Sequence, residues 1–177
     1  LRMPLYDFPE EFMALIIRPL SFENEDVRNC LEIYNHYIKN TTVTFEETEL
    51  EEEQFRKRLR EITGQYPFLV AEDAETILGY AYLDAYNPRS AYRYTVDLSI
   101  YLAPCATGKG LGKALLLAIE NAARAQRFSC ILSLIVGENT HSLHFHEQNG
   151  YRKVGLMEQV GLKFGRRLDV FIYEKLL

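Results

Sequence analysis

No apolar run in the sequence approaches the roughly 18–20 residues that cross a bilayer, and no secretory leader pattern is present. Neither a membrane span nor export is expected. Clusters of cations are missing as well. The 20 Lys and Arg stand against 25 Asp and Glu, for a formal net charge of −5. Nothing basic is long enough to track a phosphate backbone, so nucleic acid is not an expected partner. Cysteine is scarce: Cys30, Cys105 and Cys130 are odd in number and contain no CxxC pair. That argues against a disulfide framework and for free thiols in a reducing cytosol. Internal repeats and linkers are absent too. What is present, 177 residues with 47% apolar content, suits one domain around one good core. The acids gather at Glu46–Glu53, the solvated start of a helix. Met13 is a candidate natural start, which leaves residues 1–12 as a possible extension and 13–177 as the domain.

Periodicity gives the elements in order. Ala14–Pro19 reads as a strand. Asn24 can cap a helix over Glu25–Lys39, with Val27, Leu31, Tyr34 and Ile38 on one face. Thr41–Phe45 is β-branched and extended. Thr48 and Glu51 form a capping-box pattern ahead of a second helix, which turns Phe55, Leu59 and Ile62 inward and stops at Gly64. Phe68–Ala71 and Ile77–Ala85 read as a hairpin, and Tyr86–Arg93 as a polar, aromatic loop. In the strand Thr95–Leu102, alternation sends Val96, Leu98, Ile100 and Leu102 to one face and Asp97, Ser99 and Tyr101 to the other. A helix over Gly110–Gln126 follows. The nearly all-apolar Cys130–Val136 suggests a strand covered on both faces. Asn139–Asn149 reads as a short helix ended by Gly150. Two last strands, about 152–160 and 166–175, flank GLKFG. The fold class is a mixed α/β layer.

The stretch from Asp97 to Ala114 (DLSIYLAPCATGKGLGKA) organises the rest. A strand feeds a glycine-rich turn that opens a helix, and that arrangement makes an anion cradle. Glycine lets backbone N–H groups close on phosphate oxygens, and the helix N-terminus adds partial positive charge. Two nucleotide motifs fail on spacing. A P-loop needs glycine where Thr107 stands and Ser or Thr where Ala114 stands. The dinucleotide fingerprint, counted from Gly108 and Gly110, needs glycine at Lys113.

The remaining pattern, Thr107–Gly112 (TGKGLG) after a strand, resembles the pyrophosphate loop of the GCN5-related N-acetyltransferases. A second motif agrees. In ENTHSLHFHEQNGY, Asn139, Ser142, Glu147, Gly150 and Tyr151 fall in register with that family's N-x-x-S-x-x-L-Y-E-K-x-G-F, with Phe145 at the leucine and His146 at the tyrosine. Histidine there resembles the subfamily acetylating phosphinothricin and methionine sulfone or sulfoximine. Further segments at 33–47, 66–73, 91–102 and 159–170 resemble the same subfamily, so the likeness spans about residues 14–177. It implies the family's acyl-CoA N-acyltransferase fold, with about seven strands and four main helices. It also implies acetyl-CoA as cosubstrate, a homodimer and a small amine as acceptor. Two positions depart from the pattern: Asp97 replaces the usual glutamate, and Thr107 replaces Arg or Gln but keeps its backbone N–H.

Acetyl transfer to an amine needs a proton acceptor, because an amino-acid amine is mostly protonated at neutral pH. Asp97 is the candidate base. Its ordinary pKa of about 3.9 is low for the task, so burial or a relay has to help. His146 titrates near neutrality and can protonate the departing sulfur or act as the base itself; sequence leaves the two open. His141 and His144 share a helix face, while His146 lies roughly 200° away from His144 at 3.6 residues per turn, so no metal is expected. The resemblance puts the pantetheine arm beside Ser99, Ile100 and Tyr101 with Asn139 on its other side. The pyrophosphate goes to Thr107, Gly108, Lys109, Gly110, Leu111 and Gly112. On the acceptor side it implies Arg89 and Tyr92 for an anionic end, with Tyr86, Asn87, Pro88, Val96, Leu98 and Phe45 lining the rest and Lys163 nearby. A planar guanidinium suits carboxylate or phosphinate. Two alternatives stay open: the same fold with another amine acceptor, and a coenzyme A-binding sensor without turnover.

Overall fold

The computed structural model describes residues 14–177; the expectations for residues 1–12 and Met13 lie outside them. The elements run β1 (Ile16–Pro19), α1 (Asp26–Asn40), α2 (Glu52–Thr63), β2 (Phe68–Asp73), β3 (Thr76–Ala85), β4 (Thr95–Leu102), α3 (Leu111–Ala125), β5 (Cys130–Val136), α4 (Thr140–Gln148), β6 (Arg152–Lys163) and β7 (Arg166–Leu176). Seven strands form one sheet in the order β1-β2-β3-β4-β5-β7-β6, and β4–β5 is its parallel pair. Seven strands and four helices match the expected fold class.

Each face of the sheet carries its own core, as alternation along the strands requires. Leu83, Val96 and Ile131 pack beneath α3 with Leu115 and Ile119. Val70 and Tyr80 pack on the other face with Val27 and Ile38 of α1 and Phe55 and Leu59 of α2. Each fully buried aliphatic contributes about 1.5–3 kcal/mol. One buried ion pair sets α4 against α3. Lys175 donates to both oxygens of Glu120, at 2.7 and 2.9 Å, and to the Asn149 carbonyl at 2.8 Å, just past the end of α4.

Local chemistry moves three boundaries. The capping box before α2 is Glu51 with Gln54, not Thr48 with Glu51: the Glu51 N–H donates to Gln54 Oε1 at 3.3 Å and the Glu51 carboxylate accepts in return. Thr41–Phe45 is a bent loop and not extended, because its hydroxyls bond nearby backbone. Thr41 Oγ1 donates to the Tyr37 carbonyl at 2.7 Å and accepts from Val43 N–H at 3.2 Å. β6 continues past residue 160 through a bulge to Lys163, and its turn to β7 is the two-residue Phe164-Gly165. Both turn residues have positive φ, 51° and 71°, the twist that suits a tight hairpin.

Candidate active site

The central parallel pair comes apart. β4 and β5 share the rungs Thr95–Cys130, Val96–Ile131 and Asp97–Leu132, and no further ones. β4 runs on to Leu102, its other edge paired with β3 from Ser99–Tyr82 to Gly79–Leu102. β5 runs on to Val136, its other edge paired with β7. Past Asp97 each strand therefore turns one unpaired backbone edge toward the gap. Buried backbone groups need partners, so the gap suits an extended ligand that carries amides.

A cavity of about 420 Å³ fills the gap. Its walls are Leu98, Ser99, Ile100, Tyr101 and Leu102 of β4, Ser133–Val136 of β5, and Asn139, Ser142, Phe145 and His146 around α4. Thr107, Gly108, Gly110 and Gly112 close one end. Gly108 and Gly110 take positive φ, 75° and 80°, and Gly110 is the residue that opens α3. The first N–H groups of a helix have no partner within it, so this end is built for an anion. Thr107 Oγ1 donates back to the Pro104 carbonyl at 3.0 Å, which leaves the Thr107 backbone as its contribution. Leu111 is buried in the α3-side core, so it too offers only its backbone; Lys109 is exposed and lies off the cavity wall.

Asp97 sits at the closed end of the gap, on the last shared rung, and its Oδ1 is buried with no hydrogen-bond partner. Burial pushes its pKa up to about 7, with the Leu98 N–H opposing and the Asp84 charge adding to the rise. His146 is 6% exposed, and burial lowers its pKa, against the pull of its Ser142 bond and of Glu120. Its Nδ1 lies 2.8 Å from the Ser142 carbonyl, which can only accept, so Nδ1 carries the proton and Nε2 is the free acceptor. The ring stands edge-on to Tyr151 at 5.0 Å.

The acceptor-side residues are less gathered. Tyr86 and Tyr92 meet edge to face at 5.4 Å and are both about two-fifths exposed. Asn87 Oδ1 accepts the Arg89 N–H at 3.1 Å, shaping the turn after the exposed Pro88. Arg89 is exposed, and no ion pair to it is found among the described residues. Phe45 lies on the far side, its ring against Gly161 of β6. Lys163 is 1% exposed and donates to the Thr44 carbonyl at 2.7 Å, which pins the loop that carries Phe45. The Val96 side chain is not brought to the site: alternation buries it completely in the α3-side core, away from the face of Asp97. Leu98 lies on the Val96 face but reaches the cavity wall.

Several wall residues carried no motif. Ser133 was visible as the one polar residue in an apolar strand; its Oγ is buried and unpartnered. Tyr37 lines the cavity and donates to the Leu102 carbonyl at 2.8 Å. A second opening of about 390 Å³ lies between Asn40–Val43, Phe164 and the Glu138–Arg166 ion pair, and shares Val43 and Asn139 with the first. Among the described residues no three His, Cys, Asp or Glu side chains converge, and no helix is long and apolar enough to span a membrane.

A mixed sheet split between two parallel strands, with an anion cradle where a helix begins at the mouth of the split, defines an acyl-coenzyme A N-acyltransferase. The chain belongs to the GNAT acetyltransferases: the family's acetyltransferase domain matches residues 20–172. It is 35% identical to the phosphinothricin N-acetyltransferase of Alcaligenes faecalis, over 86% of this chain and 78% of that one. It is 39% identical to the L-methionine sulfoximine/L-methionine sulfone acetyltransferase of Pseudomonas paraeruginosa, over 82% and 86%. Among solved structures, the phosphinothricin acetyltransferase of Sinorhizobium meliloti in complex with acetyl-CoA superposes with a TM-score of 0.88 at 38% identity, covering 93% of this chain and 89% of that one.

Proposed function

We propose that this N-acetyltransferase transfers the acetyl group of acetyl-CoA to the amine of a small anionic amino-acid analogue of the phosphinothricin, methionine sulfone or methionine sulfoximine type. The observation that carries the mechanism is the Asp97 carboxylate at the closed end of the strand gap, its Oδ1 buried without a partner and its pKa near 7. A base poised there is half-ionised at neutral pH and can take a proton from the acceptor's ammonium.

The chain's residues fit the cosubstrate. The unpaired edge of Ser99–Tyr101 can pair with pantetheine amides as a further strand would, and Asn139 can bond the arm from the α4 side. The backbone at Thr107, Gly108, Gly110, Leu111 and Gly112 can hold the pyrophosphate. Bound there, acetyl-CoA supplies an activated acetyl carbonyl at the gap. Asp97 receives the ammonium proton and frees the amine lone pair. His146, neutral with Nε2 as its free acceptor, offers a second proton site on the α4 wall. A backbone N–H left unpaired where the strands part can polarise the carbonyl oxygen.

Arg89, with Tyr86, Asn87, Pro88 and Tyr92, would hold the anionic end of the acceptor from one side, and Phe45 would bound it from the other. Arg89 also disfavours a polycation, which it would repel. Three free cysteines suit a reducing cytosol. A homodimer is supported by β6, an edge strand of the sheet, whose Val154, Leu156, Val160 and Leu162 are 43–58% exposed. An unpaired edge carrying that much apolar surface calls for a cover.

The test is free-thiol release from acetyl-CoA with methionine sulfoximine, methionine sulfone, phosphinothricin, common amino acids and spermidine. Turnover concentrated on the first three is the expected result. Strong turnover with spermidine, or with none of the small acids, would overturn the acceptor. Coenzyme A binding with silence across the panel would favour a sensor without turnover.

A further inference from the structure

We propose that Asp84 is a positioning residue for acetyl transfer: its carboxylate, directly across the β3–β4 ladder from Asp97, forms with that base an acidic pair that receives the incoming ammonium. The inference rests on the reading of Asp97 as the base.

The geometry is that of a cross-strand pair. Asp84 and Asp97 are register partners in an antiparallel ladder, which puts their Cβ atoms about 4.5–5.5 Å apart on one face of the sheet. Like charges directly opposite destabilise a ladder. Nothing in the core requires this pair, since neither residue belongs to an apolar cluster and both are only half-buried. Asp84 is held in place: its Oδ1 accepts the Ala85 N–H at 2.7 Å. Two carboxylates on one face are costly beside each other and favourable beside a cation, and the acceptor arrives as a cation.

The other titratable groups around Asp97 do not neutralise it. On the same face stand Tyr82 of β3 and Tyr101 of β4, phenols raised above their ordinary range by burial, with Tyr82 adding to the rise of Tyr101. The guanidinium of Arg58, on α2, acts on Tyr82 and is paired with Glu46 at 2.6 Å. Across the gap the partner of Asp97 is Leu132, which carries no charge. Asp84, directly opposite on the ladder, is a charged neighbour of Asp97, and it acts to keep the proton on Asp97.

Proton transfer from R–NH₃⁺ to the Asp97 carboxylate gives R–NH₂ and the carboxylic acid, and the Asp84 carboxylate opposite favours the protonated form of Asp97. Its removal should weaken the base. The experiment is the pH dependence of kcat/KM for the amine acceptor at saturating acetyl-CoA, for wild type, Asp84→Asn, Asp84→Glu and Asp97→Asn. With Asp84→Asn the acidic limb should move to lower pH by roughly half a unit to two units, the span a like charge directly opposite gives between a water-like and a protein-surface dielectric. The acceptor KM should rise several-fold while the acetyl-CoA KM holds. Asp84→Glu keeps the charge and should keep the limb near its wild-type position. If Asp84→Asn does not fold, Asp84→Ser serves as the neutral variant. An acidic limb at the wild-type pH in the neutral variant, with Asp97→Asn inactive, would overturn this proposal alone. Full activity in Asp97→Asn would overturn the choice of base as well.

Discussion

Asp97 and Leu132 face each other on the last rung that β4 and β5 share. One residue further along, the strands are unpaired and the cavity begins with Leu98 and Ser133 on its walls. Sheet topology therefore delivers the carboxylate to the point where a thioester lying in the gap would end. The same placement explains its chemistry. The flanking rungs exclude solvent from one side of the carboxylate, and a half-desolvated acid holds its proton to higher pH.

Asp97 should carry a pH signature in stability as well as in rate. Its carboxyl titrates near 3.8 in the unfolded chain and near 7 in the fold. The folded chain thus binds the proton more tightly. The stability this confers is present below about pH 4 and is lost as pH rises through about 7. Asp97→Asn removes the ionisation. Its melting temperature should match that of wild type at pH 4 and exceed it at pH 8, where the gain in stability is a few kcal/mol at most. Its kcat should drop by about 10²-fold or more. Thermal melts at the two pH values check the first claim; an offset of equal size at both would contradict it.

His146 is buried neutral with its Nδ1 proton committed to the Ser142 carbonyl. His146→Phe keeps a ring against Tyr151 and removes Nε2. The expected outcome is a kcat about 10- to 100-fold lower, with coenzyme A affinity within a few-fold of wild type. Single-turnover rates and calorimetric titration separate the two. Wild-type kcat in that variant would reduce His146 to a packing residue.

Gly110 opens α3 with a φ of 80°. An alanine there costs roughly 1–2 kcal/mol in the left-handed region and tilts the first N–H groups of the helix away from an anion. Gly110→Ala should lower the melting temperature modestly and raise the acetyl-CoA KM several-fold, leaving the acceptor KM alone. Coenzyme A titration followed by calorimetry is the check. Unchanged affinity would mean that the cradle lies elsewhere.

Much of this was legible in the residues. Alternation in Thr95–Leu102 assigned Asp97 and Val96 to opposite faces, and the structure keeps them there. That same alternation keeps the Val96 side chain off the acceptor side. The glycine spacing from Gly108 to Gly112 marked the cradle. The divergence of β4 from β5 was not legible, because pairing depends on two strands 35 residues apart at their last rung, Asp97 to Leu132. Nor was the partnership of Asp84, which follows from hairpin register and not from any motif. Thr41–Phe45 misled for a local reason: β-branched residues favour extension, but threonine hydroxyls can bond their own backbone, and here the second effect wins.

The tightest contact on the acceptor side is Phe45 on Gly161. A Cβ built on Gly161 would stand 2.2 Å from Phe45 Cε2 and 2.4 Å from Cζ, far inside any real contact. The clashing atoms belong to the end of a half-exposed ring that can swing away, so the fold should survive Gly161→Ala with a cost of about 1 kcal/mol or less. The ring, however, cannot remain where it is. If Phe45 bounds the acceptor, the acceptor KM should rise by about 10-fold or more while kcat at saturation and the acetyl-CoA KM stay close to wild type, because only uniform binding has been lost. Phe45→Ala supplies the control: the double variant should be no worse than Phe45→Ala alone, since both changes act through the same ring. Additive losses in the double variant would mean that Gly161 acts through β6 itself and that Phe45 does not bound the acceptor.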